Sequence, residues 1–182
     1  MQLGWNEIKQ RAVCFSREWA GETREQAEAK SFWDALDLNI KAAEVMGRLH
    51  DTMAAGGYSG HALERFLVRV LFCLFSEDTG IFDPNAFTEY IENQTRPDGS
   101  DLGLHLARLF QVLDTPREQR QKNLDERLLG LPYVNGGLFA ETLPLADMNA
   151  EMRDALVRCT GFDWSRISPA VFGSLFQSIM QP

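Results

Sequence analysis

The stretch from Gly60 to Ser76 constrains the fold more than any other part of the sequence. Leu63, Phe66, Leu67, Val70, Leu71, Leu74 and Phe75 recur at helical spacing and cover most of the circumference of the helix they predict. A helix that is apolar on nearly every side has no face to give to water. It belongs at the centre of a bundle of other helices. Ser59 is placed to cap it, and Arg65 and Arg69 fall four residues apart on its least apolar strip.

The rest of the chain supplies neighbours for such a helix. Asn6 can cap a first helix running to about Trp19, with Ile8, Ala12, Phe15 and Trp19 on one side. Gly21 to Lys30 is charged and polar, a loop or a solvated helix end. From Phe32 to Thr52, Leu38, Ala42, Val45, Met46 and Leu49 form one stripe, ended by Gly56-Gly57. Asp83-Pro84 reads as a cap followed by proline at the first helical position, opening a helix from Asn85 to Glu92. Pro97 and Gly99 mark a turn, and Leu102 to Leu113 is amphipathic. Thr115-Pro116-Arg117-Glu118 is a capping box with proline at the first helical position, predicting a helix to about Leu129.

Beyond Gly130 the texture changes. Leu131 to Phe139 has two apolar arms around Asn135-Gly136-Gly137, the pattern of a hairpin. Asn149 can cap a helix from Ala150 to about Cys159. Ser168-Pro169 starts a final helix carrying Val171, Phe172, Leu175, Phe176 and Ile179. There is no internal repeat. The expected fold is mainly α, a multi-helix bundle with one short β-hairpin near 131–141.

Composition limits what this bundle can do. Of the 182 residues 45% are apolar, which is globular, and the net charge is −8. A field of that sign repels phosphate, so contact with DNA must be local or assisted by a partner. Cys14, Cys73 and Cys159 are far apart and form no zinc-ligand pattern, which fits reduced thiols in a cytoplasmic protein. The start, Met1 to Glu7, has no signal-peptide character, and the longest apolar run, Val70 to Phe75, is too short to span a bilayer.

The polar residues present no catalytic signature. Glu77 and Asp78 follow the apolar helix, where acids oppose the macrodipole and call for a partner such as Arg65, Arg69 or a backbone amide. Metal binding is their functional alternative. His50-Asp51 can pair, while His61 and His105 stand alone. Asn135-Gly136-Gly137 is not a phosphate loop, and its residues suit positive φ. The turn either serves the fold alone or is also set against a partner domain or DNA. Phe66, Phe72, Phe75, Phe172 and Phe176 have core spacing, and Trp164 fits an anchor that packs a loop onto the bundle. Arg117, Arg120, Lys122 and Arg127 gather on and before one predicted helix, as a solvated face or as a local strip of DNA-backbone contacts.

Three blocks resemble the MmeI-like (Type IIL) restriction–methylation proteins: Leu67 to Phe82, with its Phe-Ser-Glu-Asp-Thr-Gly; Leu131 to Phe139, with its Pro-Tyr-Val-Asn-Gly-Gly-Leu-Phe; and Phe162 to Gln177. The resemblance runs from about Asp37 to Met180. Trp5 to Phe32 is similar to the extreme N-terminus of that family. Members join a nuclease, a helical spacer, an adenine-N6 methyltransferase and a target-recognition domain. The resemblance implies an N-terminal helical segment over 1–34 and a spacer over 35–182. The nuclease would be missing near Trp33 to Asp37, and a methyltransferase would start after Met180. No Asn-Pro-Pro-Tyr motif occurs, so no catalytic residue, metal ligand or cofactor is assigned to this chain. S-adenosylmethionine would belong to the methyltransferase, downstream or in trans. That domain would dock on Asn135, Gly136, Gly137, Phe172 and Phe176. The expected role is a non-catalytic spacer that positions the methyltransferase relative to DNA. The alternatives are a stand-alone acidic interaction domain left from a broken gene, or an enzyme built on His50, Glu77 and Asp78.

Overall fold

Eleven of the nineteen residues of the apolar helix (Gly60–Asp78) are buried, Arg69, Ser76 and Glu77 among them. This burial is what its all-round apolar pattern requires. The computed structural model describes residues 24–145, 147–167 and 173. The expected helix over Asn6 to Trp19, and most of the one after Ser168-Pro169 with Phe172 and Phe176, lie outside those residues. The described elements are α1 (Arg24–Ala55), α2 (Gly60–Asp78), α3 (Ala86–Gln94), α4 (Leu102–Asp114), α5 (Glu126–Gly130) and α6 (Ala150–Thr160). Short 3-10 turns cover Arg117–Gln119 and Trp164–Arg166.

The chain divides into two compact units, Met1–Leu38 and Asn39–Pro182. In the larger unit α1 buries Ala42, Met46, Leu49 and Met53, a stripe at spacings of four, three and four. There α2 packs against α3 and the Trp164 turn, α3 packs against α4 and α6, and α4 packs against α5. Phe87, Tyr90 and Ile91 of α3 and Leu102, Leu106, Leu109 and Leu113 of α4 complete the core. In the smaller unit, Phe32 and Trp33 stand exposed on α1 and meet edge to face at 5.6 Å.

Local signals placed several helix starts well. Asn149 caps α6 by accepting the Met152 amide at 3.0 Å. Ser59 occupies the cap position of α2 with extended backbone, but its side chain makes no capping bond.

Three expectations are corrected. First, no strand occurs among the described residues, and 131–141 is an irregular loop. Its polar groups are used by other elements. The Val134 amide donates to the Leu113 carbonyl of α4 at 2.8 Å, and the Leu138 and Glu141 carbonyls accept from Arg69. An isolated two-stranded pairing is marginal, and these tertiary bonds displace it. Second, the helix expected from Thr115 to Leu129 is only the Arg117–Gln119 turn and the short α5. Thr115 closes α4 instead, its hydroxyl donating to the Gln111 carbonyl at 2.7 Å. Asp125 then caps α5 through the Arg127 amide. Third, the cap of α3 is Asn85 rather than Asp83, and the helix expected over Asn85 to Glu92 runs over Ala86–Gln94, leaving Pro84 outside it. Asn85, at φ +59°, turns the chain into the helix.

Candidate functional site

The charged residues of α2 are fasteners for three segments distant in sequence. Glu77 lies opposite the first turn of α3, whose amides have no helical acceptor. Its carboxylate accepts the Phe87 and Thr88 amides, each at 3.0 Å, and the Thr88 hydroxyl at 2.6 Å. Burial pushes the Glu77 carboxyl above its ordinary range, and the Thr88 and Phe87 donors pull part of that back. Asp78 accepts the Trp164 amide at 2.6 Å. Its carboxyl is also raised by burial, with the Trp164 amide opposing the shift. Trp164 is buried, and its indole N–H donates to the Cys159 carbonyl at 2.9 Å. Trp164 thus anchors its loop as its sequence position predicts. The partners of both acids are backbone amides, with the Thr88 hydroxyl added at Glu77.

Arg69 fastens the loop after α5. Its Nε donates to the Leu138 carbonyl at 2.9 Å and its Nη2 to the Glu141 carbonyl at 2.7 Å. Phe110 and Phe139 flank the guanidinium, with their ring centres 5.3 and 5.6 Å away. The Glu141 side chain turns back to α2. It meets His61 at 3.0 Å and lies 3.8 Å from Arg65, beyond hydrogen-bond range. Arg65 Nε is buried without a hydrogen bond. The tip, Asn135-Gly136-Gly137, is exposed, with Gly136 and Gly137 at φ +116° and +77°. A Cβ at either glycine would meet nothing within 4 Å, so the backbone conformation alone demands glycine there.

The expected basic strip is split by its own middle member. Arg120 is buried and donates to the Val112, Thr115, Leu129 and Leu131 carbonyls, at 3.0, 3.0, 3.4 and 2.7 Å. It ties the C-terminus of α4 to the end of α5. Burial lowers its pKa from the usual arginine value, and the neighbouring Arg117 adds to that. Arg117, Lys122 and Arg127 are exposed, and the four do not share a helix.

The histidines sit in separate settings. His50 pairs with its neighbour Asp51 at 3.0 Å on an exposed surface. His105 meets the Tyr90 hydroxyl at 3.1 Å and lies 3.8 Å from Asp101. Among the described residues no group of His, Cys, Asp and Glu is arranged to hold a metal ion. No described helix is long and apolar enough to cross a membrane. Cys73 and Cys159 are buried free thiols, and burial pushes Cys159 up to about 12. Sequence reasoning missed the bracing role of Arg120 and that of Arg153, which ties α6 to Thr95 and the Glu92 carbonyl. It also missed Glu141, which lies 80 residues from His61. No spacing signal marks such partners.

These features define a helical module whose buried charges are spent on holding its own segments together. Residues 61–139 match the model of the family described as the MmeI helicase spacer domain. The chain is 35% identical over 169 residues to DNA methyltransferase A of Bacillus subtilis (strain 168), covering 91% of this chain and 18% of that protein. It also resembles a chain in the structure of the Type IIL restriction-modification enzyme MmeI in complex with DNA. That match has 61% sequence identity and a TM-score of 0.70, over 78% of this chain and 19% of the other. The chain therefore spans about a fifth of the length of either relative.

Proposed function

We propose that this chain serves as the spacer of a restriction–modification enzyme and holds an adenine-N6 methyltransferase domain in a fixed relation to DNA. The observation that carries this function is the 61% identity, at TM-score 0.70, to part of a Type IIL enzyme bound to DNA. The internal fastening supports it. A spacer must transmit position, and Arg69, Glu77, Asp78 and Arg120 each stitch segments that would otherwise move independently. Methyl transfer and S-adenosylmethionine binding are the work of the methyltransferase domain, and the setting is the cytoplasm. Asn135, Gly136 and Gly137 form an exposed tip available to that domain. Phe172 and Phe176 remain proposed docking residues on the strength of their sequence alone.

Mixing the purified chain with the methyltransferase region of a Type IIL enzyme that lacks its own spacer tests the proposal. Size-exclusion chromatography should show a one-to-one complex in the absence of DNA. Separate elution at micromolar concentrations would favour a stand-alone acidic domain instead.

A further inference from the structure

A cleft of about 200 Å³ opens between the C-terminal half of α4 and the chain that follows it. Its walls are Arg108, Gln111, Val112 and Thr115 on one side, and Arg120, Gln121, Asn123 and Leu124 on the other. The polar lining is thus two guanidinium groups, three amides and one hydroxyl, with no carboxylate. That is unusual in a chain of net charge −8. The Arg108 guanidinium is exposed and makes no hydrogen bond or ion pair among the described residues. The Gln111, Gln121 and Asn123 side chains likewise have no protein partner there. Asp125, just beyond Leu124, is committed to the Arg127 amide.

A helix C-terminus ordinarily repels anions. Here that end is neutralised. Arg120 donates to the Val112 and Thr115 carbonyls, the Thr115 hydroxyl to the Gln111 carbonyl, and the Val134 amide to the Leu113 carbonyl. The buried Arg120 has no carboxylate bonded to it; the exposed Glu118 offsets part of its charge, and the remainder adds to that of Arg108. Lys122, between two lining residues in sequence, is exposed and is not itself part of the lining. Planar donors of this kind suit a phosphate oxyanion.

We infer that this cleft seats one phosphate of a DNA backbone, with Arg108 as the principal contact and the three amides as supporting donors. The inference deepens the spacer reading and rests on it. The co-elution experiment contains no DNA, so the two can fail separately. The Arg120 charge forms the floor of the cleft, while its hydrogen bonds remain within the protein.

Side-chain amide signals of Gln111, Gln121 and Asn123, followed by NMR in the full chain at low salt, test the seat. The probes are a mixed-sequence duplex and, separately, inorganic phosphate. The duplex should shift these signals saturably. Arg108→Ala should abolish the shifts and reduce the slope of log affinity against log salt by about 0.9, the contribution of one phosphate. It should weaken two unrelated duplex sequences equally. Arg108→Lys should restore part of the binding, and Arg158→Ala, on exposed α6 surface, should leave it unchanged. Absence of duplex-induced shifts, or an unchanged slope in a folded Arg108→Ala protein, would overturn the inference. Shifts produced by inorganic phosphate and not by the duplex would identify a free-anion site and overturn the DNA assignment.

Discussion

Replacing Glu77 by alanine removes one acceptor from three donors. The Phe87 and Thr88 amides and the Thr88 hydroxyl all end on this carboxylate, and Phe87 is fully buried. Each buried amide left unsatisfied costs about 1–3 kcal/mol. Loss of a negative charge at the N-terminus of α3 adds about 0.3–1 kcal/mol. The Thr88 hydroxyl can rotate toward water and contributes little. Partial relaxation makes the terms less than additive, so Glu77→Ala should lower unfolding stability by about 3–5 kcal/mol. Glu77→Gln keeps one carbonyl oxygen for both amides and should cost about 1 kcal/mol at neutral pH. Its pH dependence has a definite sign. Burial raises the folded-state pKa of Glu77, so the folded chain binds this proton more tightly than the unfolded chain does. That contribution to stability is complete below the ordinary carboxylate range and is lost as pH rises through the raised value. Glutamine has no such dependence, so Glu77→Gln should gain on wild type as pH rises from acid to neutral. Urea unfolding followed by circular dichroism at several pH values measures both effects. A Glu77→Ala protein within 1 kcal/mol of wild type, or a glutamine variant as damaged as alanine, would refute the capping role.

Arg69→Lys should release the loop after α5, because one ammonium cannot reproduce the fork onto the Leu138 and Glu141 carbonyls. Faster chymotryptic cleavage at Tyr133 or Phe139 is the expected signal, and unchanged rates would count against the clamp. Gly99→Ala should cost about 2 kcal/mol or more in thermal unfolding. Gly99 sits at φ +70°, and a Cβ there would clash with the Asn149 carbonyl. Cys73 and Cys159 should resist disulfide-exchange reagents at pH 8 until the chain is unfolded, since burial raises both thiols. Mass spectrometry of the modified native protein reads this directly.

Much of the helical architecture was legible because its causes are local. The apolar circumference of Gly60 to Ser76 requires a central helix whatever surrounds it. Asn149 reaches an amide only three residues away, and Leu102 to Leu113 carries its own amphipathic period. The three separated blocks likewise carried the family resemblance without any coordinates. Other local signals were overruled. Thr115-Pro116 has strong start chemistry, yet the chain after it opens so that Arg120 can reach four carbonyls. Leu131 to Phe139 has hairpin chemistry, yet its polar groups pair with α2 and α4.

The candidate site divides in the same way. That Glu77 and Asp78 needed partners followed from sequence, because acids oppose the C-terminal dipole of a helix. Which partners they have did not. Thr88 is 11 residues from Glu77, Trp164 is 86 from Asp78, and Glu141 is 72 from Arg69. Periodicity and capping act over one or two helical turns, so sequence alone determined which helix is central and which charges need satisfaction. Tertiary packing chose the donors and acceptors that satisfy them. It also brought Arg108 and Arg120 to one cleft, because that depends on how α4 and the following chain fold back on each other.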